Sequence, residues 1–172
     1  LDRMAAEGVL FTQFYAGSTV CAPSRSVLMT GLHTGHTRVR GNAAKTNPEA
    51  QMLRDADVTV AELLKQAGYA TGLVGKWGLG LAGDEGVPNR QGFDYFYGFV
   101  GGDTSQWQPN LFRNTTQIYP YVGKPGWNLT TAMADEAVDW LHQANQIDPA
   151  KKFFCYYVPG GTHAPHHPTK EW

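Results

Sequence analysis

Two stretches of the chain repeat one order of events: an amphipathic helix, a short break, then an apolar run too short to be a helix. They are "VTVAELLKQAGYATGLVGKWG", and "TTAMADEAVDWLHQAN" followed by "KKFFCYYVPGG". In the first, Thr59 and Glu62 have the spacing of a capping box. Val60, Leu63, Leu64 and Ala67 make the apolar face, and Gly68 ends the helix. "YATGLVGKW" then reads as a buried strand. Alternating helices and continuously apolar strands predict an α/β fold with a mostly parallel sheet, because parallel neighbours need helical crossovers that bury both faces. The opening "LDRMAAEGVLFTQFYA" reads as a short helix, a stop at Gly8, and a strand from about Val9 to Tyr15.

With 172 residues and 42% hydrophobic content, the chain has material for one domain with a core. The order of elements recurs without any repeat of the sequence itself, and no internal boundary is visible. The net charge of -1 argues against a nucleic-acid footprint or a patch for anionic membranes. No apolar run approaches the roughly 20 residues that span a bilayer. "LDRMAAEG" has no hydrophobic stretch of a signal peptide, and its start without Met leads us to expect a missing upstream part. Two cysteines make no disulfide framework, and Cys155 within "FFCYYV" reads as a buried, inert thiol. Asn114 and Asn128 begin N-x-Thr triplets, which matter only in a eukaryotic secretory pathway. Gly80 to Trp127 is rich in Gly, Pro, Asn and aromatics with little periodicity, a long irregular excursion. The aromatics of "FDYFYGF" read as core, while Trp107 and Trp127 are candidates to line a pocket for an aryl or sugar group.

In open α/β sheets, ligands gather beyond the carboxyl ends of strands. Three stretches fall there: Cys21-Ala22-Pro23-Ser24-Arg25, Gly75-Lys76-Trp77-Gly78, and Thr162-His163-Ala164-Pro165-His166-His167-Pro168. Pro23 suits a first helical turn and Gly31 the position past a helix end, so Cys21 stands at an electropositive helix start that favours a thiolate or an anion. A helix start, an arginine, a lysine and histidines on one edge suit a tetrahedral oxyanion, sulfate or phosphate. His33 and His36 read as loop residues.

Cys21-x-Pro-Ser-Arg25 with Thr30-Gly31 resembles the signature of the sulfatase family. "GKWGLG", "RQGFDYFYGF" and "GGTHAPHHP" resemble its later elements, so the likeness runs nearly end to end. The resemblance implies an alkaline-phosphatase-like α/β/α sandwich, here residues 1–172 as an incomplete N-terminal part. The first strand, the paired aspartates and the later metal ligands would lie outside it. It implies that a maturation enzyme oxidises Cys21 to formylglycine, whose hydrate is the nucleophile and also a ligand of calcium or magnesium. Arg25 would hold that hydrate, Lys76 would bind a sulfate oxygen, and His163 would bind the ester and protonate the departing oxygen, with His166 a second substrate-binding choice. The substrate would be a sulfated small molecule or glycan, met in the periplasm or outside the cell. Gly78 stands where the family has a histidine. Alternatives left open are a phosphonate or phosphate monoester hydrolase with the same nucleophile, and a non-catalytic binder of sulfated ligands.

Overall fold

The structure, a computed structural model, describes residues 1–43 and 46–172. Its elements are α1 (Asp2–Glu7), α2 (Cys21–Thr30), α3 (Val60–Gln66), β1 (Ala70–Lys76), β2 (Tyr95–Phe99), β3 (Leu111–Arg113), β4 (Thr116–Ile118), α4 (Leu129–Ile147) and β5 (Phe153–Val158). The strands make one sheet in the order β4-β3-β2-β1-β5. Its centre is parallel, β1 pairing with β2 and with β5, and β3 and β4 extend it antiparallel.

Both sequence units form as their residues dictate. Thr59 Oγ1 accepts from the Glu62 N–H at 3.2 Å and Glu62 Oε2 from the Thr59 N–H at 2.7 Å, closing the capping box at the start of α3. Asn128 Oδ1 accepts from the Thr130 N–H at 2.9 Å and starts α4. α4 then returns the chain across the sheet to β5.

Alternation along the strands divides the core in two. Leu73 and Phe96 join Ala22, Met29 and Ala61 on the face covered by α2 and α3. Val74 and Tyr97 join Leu129 and Met133 on the face covered by α4. The result is the predicted α/β/α layering, each buried large side chain contributing roughly 1.5–3 kcal/mol. α4 lies so close to β1 that a Cβ on Gly72 would meet the Trp140 ring at 2.7 Å. Only glycine permits that approach.

Three expectations are corrected. The segment from Val9 to Tyr15 is not a strand; Val9, Leu10, Phe11, Phe14 and Tyr15 are 69–81% exposed. Strand propensity acts through pairing and half-burial, and no strand of this sheet pairs with the segment. The stretch from Gly80 to Trp127 is not wholly irregular, since it carries β2, β3 and β4. β2 is covered on both faces and so shows no alternation, while β3 and β4 have three residues each. Cys155 is only half-buried, because β5 is an edge strand.

Candidate active site

α2 begins at Cys21, and Val20 before it offers no side-chain cap. The cap comes from elsewhere: Asn42 Oδ1 accepts from the Ala22 N–H at 3.2 Å and from Cys21 Sγ at 3.3 Å. A loop brings Asn42 there. The buried Ser26 and Thr37 hydroxyls bond each other, tying the loop to α2, and Gln51 accepts from the Ala43 N–H at 2.9 Å while donating to the Gly78 carbonyl at 3.0 Å.

Lys76 closes β1 and is 3% exposed. The next residue fixes the strand end. Trp77 is buried edge-to-face against Phe93, and its Nε1 donates to the Gly86 carbonyl at 2.6 Å. Arg25, one turn into α2, donates through Nη1 to the Lys76 carbonyl at 2.8 Å and to the Tyr156 hydroxyl at 3.4 Å. α2, β1 and β5 are thereby joined at one corner of the sheet.

There Cys21, Ser24, Arg25, Lys76, Tyr156 and His163 line a cavity of about 360 Å³. The structure thus brings together Cys21, Arg25, Lys76 and His163. His166 is exposed and does not line this cavity. His167 accepts from the Gln106 N–H at 3.4 Å, and His33 and His36 pack edge-to-face on the loop after α2. Trp107 and Trp127 do not line the cavity either. His163 Nδ1 donates to the Ala164 carbonyl at 2.6 Å, which leaves Nε2 for a ligand.

Asn42 and Tyr156 were missed by the sequence reading. Asn42 has no periodic relation to Cys21, and Tyr156 sits in an apolar run that reads as core.

The electrostatics favour an anion. Burial pushes the Cys21 thiol up, but the Lys76 ammonium and nearby hydrogen bonds outweigh it, leaving the thiol below its ordinary range. Burial is the main cause that lowers Lys76, Arg25 adds to it, and Cys21 and Asp103 oppose it. No carboxylate among the described residues forms an ion pair with Lys76 or Arg25.

Gly78 adopts φ +76°, and a Cβ there would point at Lys76 Cε (3.5 Å) and Arg25 Cδ (3.6 Å). Any side chain at 78 would therefore enter this site. Among the described residues no group of three or more His, Cys, Asp or Glu comes together to hold a metal. This chain's own donors do not fit the calcium or magnesium that the family likeness implies.

The family model described as Sulfatase matches residues 1–172. The N-acetylgalactosamine-6-sulfatase of Sus scrofa is 35% identical over 184 residues, covering 96% of this chain and 35% of the relative. A solved protein in complex with its substrate D-glucosamine-2-N,6-O-disulfate is 26% identical with TM-score 0.71, over 97% of this chain and 30% of that one. The Bacteroides fragilis yidJ protein, 23% identical, superposes with TM-score 0.76 over 98% of this chain and 40% of its own. The fold is the alkaline-phosphatase-like one of the sulfatases. The chain belongs to the sulfatase family. It spans about a third of the length of the curated relatives it matches.

Proposed function

We propose that this chain is the nucleophile-bearing part of an enzyme that hydrolyses sulfate esters. One observation carries the reading: Lys76, 3% exposed and without a carboxylate partner among the described residues, stands beside Arg25 and Cys21. A buried cation without a carboxylate beside it is costly, and a bound oxyanion is a partner that relieves it. Sulfate fits the two positive charges, the open cavity and the family.

Formylglycine made from Cys21 by a maturation enzyme would supply a hydroxyl nucleophile at the start of α2. Arg25, held by the Lys76 carbonyl, faces that group and offsets the charge of the sulfate. Lys76 binds a sulfate oxygen and holds it in line with residue 21. His163 acts with both ring nitrogens protonated: Nδ1–H stays on the Ala164 carbonyl, and Nε2–H donates to the ester oxygen and passes its proton to the departing alcohol. The two relatives above, named for a sulfated amino sugar and bound to a disulfated one, favour a sulfated glycan as substrate. The family likeness supports a location in the periplasm or outside the cell, and residues 1–172 as one part of a larger sulfatase domain. No helix among the described residues is long and apolar enough to cross a membrane.

Gly78 supports a second reading, a binder of sulfated ligands without turnover, because it brings no side chain to the site.

The test is the mass of the tryptic peptide from Met4 to Arg25, in full-length protein from its native host. A mass lower by the thiol-to-aldehyde difference, with turnover of 4-nitrophenyl sulfate, is expected. Lys76→Met then lowers kcat/KM by about 10²–10³-fold. An unmodified Cys21 in a protein that binds a sulfated sugar and releases no sulfate would favour the binder.

A further inference from the structure

Beyond the Cys21 cavity lies a second one, and it also carries positive charge. Arg38, Arg40, Gly41, Asn42 and Ala50 line a cavity of about 310 Å³. The two cavities meet at one contact, Cys21 Sγ donating to Asn42 Oδ1 at 3.3 Å. Cys21 faces the first cavity and Asn42 the second.

Both guanidinium groups are braced by backbone. Arg38 Nε donates to the Met52 carbonyl at 3.0 Å. Arg40 donates through Nε to the Thr37 carbonyl at 3.3 Å and through Nη2 to the Gly35 carbonyl at 2.9 Å. Carbonyls orient a guanidinium without cancelling its charge, and these contacts leave most of the five N–H donors of each group unused. No carboxylate among the described residues pairs with either arginine. Arginines that serve only to brace a loop need no cavity between them. These two flank one, a single side-chain contact away from the nucleophile position.

We propose that this cavity is a second anion subsite, which takes a carboxylate or sulfate group of the same glycan whose sulfate ester lies at Cys21. The proposal rests on the reading of Cys21 as the place of sulfate-ester attack. Pre-oriented guanidinium forks match the planar oxygens of a carboxylate and the oxygens of a sulfate alike. A glycan carrying two anions would span both cavities across the Cys21–Asn42 contact. A simple aryl sulfate would use only the first.

The experiment uses the full-length matured enzyme and its Arg38→Gln and Arg40→Gln variants. The probes are 4-nitrophenyl sulfate, an unsaturated chondroitin disaccharide monosulfate, which adds a carboxylate, and the corresponding disulfate. kcat/KM is measured for each, and disaccharide binding is followed by calorimetry. The variants are expected to lose about tenfold more on the disaccharides than on 4-nitrophenyl sulfate, chiefly through KM, with loss reduced in Arg38→Lys. Equal losses on all three probes would mean the arginines only support the loop, and no loss would mean the cavity is idle; either overturns the proposal. If the monosulfate suffers as much as the disulfate, the subsite takes the uronate carboxylate; if the disulfate alone suffers, it takes sulfate. Weaker calorimetric binding by the variants, in a protein that cleaves no sulfate ester, keeps the subsite and removes the hydrolase reading instead.

Discussion

Two single residues carry predictions that do not depend on knowing the substrate. Gly78 holds a left-handed backbone with its missing side chain aimed between Lys76 and Arg25. Gly78→Ala should cost about 1 kcal/mol in denaturant unfolding, from the backbone alone. Gly102→Ala, in open space, serves as the control and should cost far less. Tyr97, 2% exposed on β2, is the second. Burial, then the Glu136 charge, pushes its hydroxyl up to about 12 from 10.0, against a smaller opposing effect of Arg113. A phenol harder to ionise in the folded state stabilises the fold fully below its unfolded pKa and loses that contribution as pH rises through the folded one. Melting temperature should therefore fall between about pH 10 and 12, and Tyr97→Phe should flatten the fall. A variant with the same alkaline slope would exclude Tyr97 as its cause. Among the residues that line the first cavity, Cys21, Arg25, Lys76 and His163 were legible because each lies at or beyond a strand or helix end within a recognisable local pattern. Asn42 was not, because its role exists only where a loop folds back onto the start of α2.

At the scale of elements, the two helix-strand units were read nearly to the residue, since capping and periodicity are local. α4 shows what such a unit adds to the sheet. Trp140 lies over Gly72 and stacks on Tyr95 at 6.2 Å between centroids. Trp140→Ala should cost about 3 kcal/mol or more, as a large ring leaves a cavity. Asn128→Ala removes only a cap and should cost about 1 kcal/mol. Urea unfolding of the two variants should keep that order; a reversal would mean the cap, not the ring, holds α4. β2 was hidden for a physical reason. Its Tyr-Phe-Tyr-Gly-Phe run is buried against both core clusters, so the alternation that marks a half-exposed strand is absent.

For the whole molecule, the segment from Val9 to Tyr15 has the largest consequence. Its exposed apolar residues, with Phe11 and Phe14 packed on each other at 6.1 Å, form a sticky surface on this 172-residue chain. Sedimentation of residues 1–172 should show assemblies larger than a monomer, and Phe11→Ser with Phe14→Ser should shift the distribution toward monomer. A wild-type chain that is monomeric throughout would show that this surface is harmless. Sequence alone determined the helices with their caps, the apolar strands β1 and β5, the α/β class and the family signature around Cys21. Each depends on residues within a turn or two of one another, or on a motif read in order. The tertiary structure alone decided the strand order, the place of β2 and the failure of the first apolar segment to become a strand. It also decided which histidine reaches the cavity and how Asn42 joins Cys21 to a second, arginine-lined space. Those depend on distant segments meeting, and burial, pairing and charge act on side chains only once the chain has brought them together.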